Sequence, residues 1–297
     1  MNLIFQSYEI CKTHGYTLQD IYKDIERAAR VSYKSEDKIT EDSAEKMVKR
    51  LINMKHYSPL EFGTIYLKIR DITCCSIILE ANANGCLAKP WVQFNKVNEI
   101  ESDGRHVANY YITTNYRFII ENKLEKLLQY MCEPTEHHQR RITVHFITNR
   151  AVSHELVRHR SMSFMQESQR YVAYDKDKFG NEITFIRPVL MYTDEQYEQI
   201  RQALSYTETA YMNLRESGLK PQQARCVLPN ATKTELYMCG FEGDWDHFFD
   251  LRDKPTVDPQ MYDLVCPLHQ EYSACLDKIG DRLHKSEAAE QLKSIYP

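Results

Sequence analysis

The order of periodicities constrains the fold most: helix-period and strand-period segments follow one another with no regular βαβ rhythm. Parallel strands need a crossover, usually a helix, between them, so this order points to an α+β chain with a mixed sheet packed by several long helices. Thr17 is placed to cap a helix over 17–30, whose stripe carries Leu18, Ile21, Ile25 and Ala28 or Ala29. A second helix over 41–54 aligns Met47, Leu51 and Met54. Phe62–Ile69, Asn109–Asn115, Ile142–Ile147, Ile183–Ile186 and Thr234–Cys239 have the β-branched or aromatic character of strands. Further helices are expected over 123–131, 150–158, 244–251 and 259–279. The longest runs over 193–217, opened by Thr193 and stopped by Gly218.

At 297 residues the chain can bury one large core or two small ones. No repeat, low-complexity stretch or linker divides it, so a single domain is expected. A formal net charge of −4 gives no global attraction to nucleic acid or anionic lipid, and any anion site must be local. The opening MNLIFQSYEICKTHGY lacks a basic stretch followed by a long apolar one, so no signal peptide is expected. Apolar runs such as Cys74–Leu79 are too short to span a bilayer. The nine cysteines include no C-x-x-C pair, which fits reduced thiols in a cytoplasmic protein with no membrane association. G-x-G-x-x-G and Walker loops are missing, so the usual dinucleotide and triphosphate cradles are not expected.

The densest polar stretch runs from His154 to Tyr171. Arg158, Arg160 and Arg170 supply planar forks for phosphate or carboxylate, and Ser161, Ser163 and Ser168 supply hydroxyl donors. Gln166 and Gln169 can read an amide-like base edge, which offers a donor beside an acceptor. No compensating run of carboxylates accompanies the arginines, so a bound anion is the expected partner. His154-Glu155-Leu156-Val157 opens like the zinc-binding H-E-x-x-H helix, but the fifth residue is Arg158. His159 comes one position too late for the same face, and no metal is expected.

Arg158-His159-Arg160, seven residues and then Ser168 resembles the R-H-R-x7-S signature of the flavin-dependent thymidylate synthases, and continues into Gln169-Arg170-Tyr171. Arg27–Ser32 and His56–Glu61 are similar to that family's early flavin-contacting stretches. Gln223–Pro229 and Phe248–Arg252 are similar to its late substrate-binding ones. These stretches occur in family order across about 25–255.

The resemblance implies methylation of dUMP to dTMP, with methylene-tetrahydrofolate giving the carbon and NADPH-reduced FAD giving the hydride. It implies a homotetramer with shared active sites and small-molecule partners only. By similarity, Glu155, Leu156, Val157, Arg158, Gln166, Glu167, Ser168, Gln169, Arg170 and Arg225 would line the nucleotide. Arg252 would sit by the pyrimidine as the catalytic residue, favouring loss of the N3 proton. Ser32, His56, Ser58, Glu61, Arg158, His159, Arg160 and Gln166 would contact FAD, followed by Phe241, Glu242, Gly243 and His247. Where family members commonly have Asn and Arg near that last stretch, this chain has Phe241-Glu242-Gly243-Asp244. Asp71–Asn122 is expected to be an insertion, either covering the active site or extending a subunit interface. A reading from another class is a non-catalytic nucleotide- or RNA-binding module, in which the Arg158–Arg170 cluster holds phosphates and tyrosines stack bases.

Overall fold

The computed structural model describes residues 1–70, 76, 91–100, 104–176, 180–189 and 192–275. In chain order the first half carries β1 (Asn2–Ile4), β2 (Ser7–Ile10), α1 (Leu18–Val31), α2 (Ser43–Asn53), β3 (Thr64–Ile69), β4 (Gln93–Ile100), β5 (His106–Asn115) and α3 (Tyr116–Glu121). Then come β6 (Arg141–Asn149), α4 (Arg150–Leu156), β7 (Ser163–Gln166), β8 (Thr184–Ile186), α5 (Asp194–Glu216), α6 (Pro221–Ala224), β9 (Lys233–Phe241) and α7 (Glu242–Arg252). A last helix, α8, is described over 259–275.

The α+β reading holds. β2, β6, β9 and β7 form an antiparallel sheet in that order, and β3, β5 and β4 form a second one with β5 in the middle. β1 and β8 pair in parallel as a small third sheet. Thr17 and Asp20 form a reciprocal capping box at α1, and Thr193 and Gln196 form another at α5. Gly218, at φ +94°, follows the last turn of α5 as expected.

Several boundaries differ for local reasons. The polar segment 160–170 contains β7, an edge strand paired on β9 from Ser163↔Cys239 to Gln166↔Leu236. Four residues are too few to show a period against polar flanks. The segment 123–131 is a 3₁₀ turn over Glu125–Tyr130, not an α-helix. Lys123 has φ +56°, a left-handed residue through which a helix cannot continue. α4 stops at Leu156, so Arg158 and His159 lie in the turn beyond it. β1, β2, β4, α3 and the short α6 had no counterpart in the sequence reading. Within Asp71–Asn122, residues 71–75, 77–90 and 101–103 lie outside the described residues, and the rest holds β4, β5 and α3. The stretch 276–279 of the expected last helix also lies outside them.

Two cores flank the site. Ile21 and Ile25 of α1 and Val48 and Leu51 of α2 pack with Ile65, Leu67, Ile69 and Ile112 of the three-stranded sheet. Val144, Phe146, Leu236 and Met238 of the larger sheet pack with Trp245, Phe248, Leu264 and Leu268 from α7 and α8. Between the two, Ala28 and Val31 sit against Phe62, Tyr237 and Cys239, which fixes the end of α1 over the large sheet. Gly63 permits this closeness, since a Cβ there would meet Ile21 and Ile25 at 2.7 Å.

Candidate active site

The C-terminal end of α1 delivers Ser32 to the large sheet. Its hydroxyl donates to Met165 Sδ at 2.7 Å, and its carbonyl accepts the Ser168 N–H at 3.2 Å. One residue thus ties α1 to β7 and to the loop that follows. Past α2, the chain turns at His56 and enters a 3₁₀ turn at Ser58-Pro59, whose proline sits in the first turn, where no backbone N–H is needed. Ser32, His56 and Ser58 line one cleft of about 840 Å³. Its floor is apolar, formed by Met47, Leu51, Met54, Pro59, Phe164 and Met165.

Glu61 lies behind this cleft rather than in it, and is only 3% exposed. It accepts Ser163 Oγ–H at 2.5 Å and Arg117 Nη1–H at 2.8 Å, which binds the 3₁₀ turn to β7 and α3. Buried and doubly bonded in this way, it supports the cleft from behind and is not placed to contact FAD as expected.

A second cluster forms where the turn after α4 meets the end of α7. Arg252 donates from Nη1 to Glu155 Oε2 at 2.6 Å and from Nη2 to the Glu155 carbonyl at 3.2 Å. Its Nε donates to His159 Nε2 at 3.2 Å, so the proton of a neutral His159 sits on Nδ1. Burial, then the charges of Arg252 and His247, lower the His159 pKa to about 4. The ring rests edge-on against Phe248 at 4.9 Å, with His247 at 6.4 Å. Arg158 and Arg160, on either side of this buried ring, are exposed.

The third cluster lies along the loop after β7. Gln166 donates to Ser153 Oγ at 2.9 Å and Thr234 Oγ1 at 3.1 Å. Glu167 is buried and ion-paired to Lys233 at 3.1 Å, yet burial still raises its pKa above the usual carboxylate range. Lys233 also binds Glu235, which pairs with Lys34 at 2.7 Å and accepts from His145 at 3.2 Å. The cations and this imidazole donor hold Glu235 well below the usual carboxylate range against its burial. Arg170 is exposed, bonded to Gln222 at 3.2 Å and laid over the Tyr171 ring. Gln169 is half-buried, and Arg225 is exposed.

One residue of this cluster escaped the sequence reading. Arg150, the first residue of α4, donates to Thr234 Oγ1 at 3.4 Å and is half-buried. Its pKa is lowered by burial, and the like charge of Arg225 adds to the lowering. The Arg150 and Arg225 guanidiniums thus repel one another beside this polar loop, in a chain of net negative charge. The signal in the sequence was Asn149-Arg150, a capping Asn followed by a cation at a helix start, where the dipole disfavours it.

Some expected site residues fall elsewhere. Leu156 is fully buried in the large core, and Val157 is exposed. Phe241 is buried under the Arg141 guanidinium, and Glu242 borders a separate polar cavity with Tyr111 and His137. Neither lines the 840 Å³ cleft, nor do Gly243, His247, Arg158, His159, Arg160 and Gln166. Among the described residues no group of three or more His, Cys, Asp or Glu side chains could hold a metal, and no helix is long and apolar enough to cross a membrane.

Fold and site together define an α+β protein with an apolar-floored cleft joined through Ser32 to an arginine-rich loop. The family model described as thymidylate synthase complementing protein matches residues 15–79 and 95–274, and the chain belongs to that family. A flavin-dependent thymidylate synthase of Pyrococcus furiosus is 35% identical over 105 residues, covering 35% of this chain and 42% of the relative. One from Geobacter sulfurreducens is 36% identical over 104 residues, covering 35% and 44%. One from Mycobacteroides abscessus is 30% identical over 148 residues, covering 45% and 54%. The chain thus spans about half the length of the curated relatives it matches. A crystal structure of a UMP/dUMP methylase, PolB from Streptomyces cacaoi, bound with 5-Br UMP, covers 92% of each chain at 15% identity and a TM-score of 0.43.

Proposed function

We propose that this chain methylates dUMP to dTMP, taking the carbon from methylene-tetrahydrofolate and the hydride from FAD reduced by NADPH. The observation that carries the reading is the Ser32–Ser168 backbone bond. It joins the cleft of Ser32, His56 and Ser58 to the end of the R-H-R-x7-S segment, and this contact between two stretches far apart in sequence supports reading them as one site. Family membership favours this enzyme over a non-catalytic nucleotide- or RNA-binding module.

The cleft suits a flat heteroaromatic group bearing anions. Its floor is apolar, its hydroxyls and imidazole can bond ring heteroatoms, and its charged lining is cationic. FAD bound there would supply hydride chemistry. Ser32, His56 and Ser58 would contact it, with the exposed Arg158 and Arg160 reaching it from the turn after α4. Arg170, Arg225 and Arg150 would hold the nucleotide phosphate, while Gln166, Ser168 and Gln169 orient its base and sugar. Arg252 would place a fixed positive charge beside the pyrimidine and favour loss of the N3 proton. Neutral His159 and Glu155 act through Arg252, because their bonds set its direction.

Nucleotide synthesis by a small-molecule enzyme fits a cytoplasmic location. We further propose a homotetramer with shared active sites, in which an inserted part of 71–122 extends the subunit interface. The test is cofactor uptake. The purified protein should bind FAD non-covalently, and dUMP should perturb the flavin absorption. A protein that takes up no FAD overturns the reading.

A further inference from the structure

Among the described residues, the charged lining of the cleft is entirely cationic in a chain of net negative charge: Arg30, Lys38, Arg50, Lys55 and Arg117 line it, and no Asp or Glu does. Two of these cations are already neutralised: Arg30 by Glu26, and Arg117 by Glu61 and Glu121. Lys38, Arg50 and Lys55, all exposed on the rim, have no carboxylate partner within 4.0 Å among the described residues.

Lys55 is the informative one. It follows the C-cap Met54 of α2 at φ +56°, with the His56 N–H bonded back to the Leu51 carbonyl at 2.9 Å. Glycine suits that left-handed position, and a lysine there costs backbone stability. Lys34, Lys123 and Asn181 take the same conformation, and of the four only Lys55 lines the cleft, where its side chain stands at the lip. A favourable charge at the helix end accounts in part for Arg50 and Lys55, but not for Lys38, which lies on another turn.

We propose that Lys38, Arg50 and Lys55 form a subsite for the γ-glutamyl chain of the folate co-substrate. This rests on the reading that the chain uses a folate. The three cations are single charges spread along a rim, beside the carbonyl end of α2 rather than a helix N-terminus. Such spacing suits successive carboxylates on a flexible chain better than a compact pyrophosphate, for which convergent N–H donors are the usual cradle.

The experiment compares tetrahydrofolates carrying one and four glutamates for binding to the full-length, FAD-loaded protein, by titration calorimetry. The tetraglutamate should bind about tenfold tighter, the combined effect of three screened ion pairs, and that advantage should shrink in high salt. The triple variant Lys38→Gln, Arg50→Gln, Lys55→Gly should erase the advantage and leave monoglutamate and dUMP affinities unchanged. Lys55→Gly alone relieves the strained turn, so it should raise the melting temperature while lowering tetraglutamate affinity. Equal affinities for the two folates in the unmodified protein overturn the subsite. So does a triple variant that weakens NADPH binding and spares the chain-length effect, which assigns the rim to the dinucleotide. A protein that binds neither folate but does bind FAD refutes the folate reading itself.

Discussion

Arg252→Met isolates the charge on which the proposed chemistry depends. The substitution removes three hydrogen bonds, two to Glu155 and one to His159. The Glu155 side chain is 30% exposed, so its freed carboxylate rehydrates, and loss of that pair costs about 1 kcal/mol. His159 is 8% exposed, and its orphaned acceptor costs about 1–2 kcal/mol more. A total of about 2–3 kcal/mol leaves a domain of ordinary stability folded. Turnover should suffer far more, by about 10²–10³-fold, the usual loss when a preorganised charge is taken from a developing anion. His159 reports on the local change independently. The Arg252 charge is one of the causes holding its pKa near 4, so histidine NMR of the variant should show it titrating higher. Arg252→Lys should recover part of the activity, since an ammonium lacks the fork that spans Glu155 and His159. The reasoning is refuted if Arg252→Met, folded and FAD-loaded, turns over within about threefold of the parent and His159 titrates unchanged.

The remaining expectations follow from the same geometry. Arg150→Gln, Arg170→Ala and Arg225→Ala should each weaken dUMP about ten- to a hundredfold with FAD retained; unchanged dUMP affinity in Arg150→Gln would remove it from the phosphate site. His138 and His159 both have pKa values lowered from 6.5 to about 4, chiefly by burial, so the folded state resists protons that the unfolded chain binds. Their contribution is full above pH 6.5 and is lost as pH falls toward 4, by up to about 3 kcal/mol each; urea unfolding that is flat between pH 7 and 4.5 would contradict this. Cys226→Ala and Cys239→Ala should retain substantial turnover, Cys239 with some packing loss because it is fully buried. A dead but folded variant of either would argue for thiol attack. Burial raises Cys11 and Cys132 to about 11, the wrong direction for nucleophiles.

What the sequence disclosed was chemistry carried within a few residues. The N-caps Thr17 and Thr193 and the stop at Gly218 need only their neighbours, and all three read correctly. The R-H-R-x7-S segment was legible for the same reason, as a contiguous run of unusual polarity. Long-range pairing was not. Lys34 and Glu235 are 201 positions apart, and Ser163 reaches Glu61 across 102, so neither the buried charge network nor the burial of Glu61 leaves a local trace. β7 was hidden because its four residues pair with a strand some seventy positions later. Arg150 was passed over because only the fold sets it beside Arg225 and Glu167.

The most direct test of the proposed activity is a drop-out assay on the purified chain, with dTMP measured by mass spectrometry. With dUMP, methylene-tetrahydrofolate, NADPH and FAD all present, dTMP should form, and omission of any one should abolish it. Undiminished dTMP from flavin-free protein, or none from protein shown to hold both FAD and dUMP, would contradict the account.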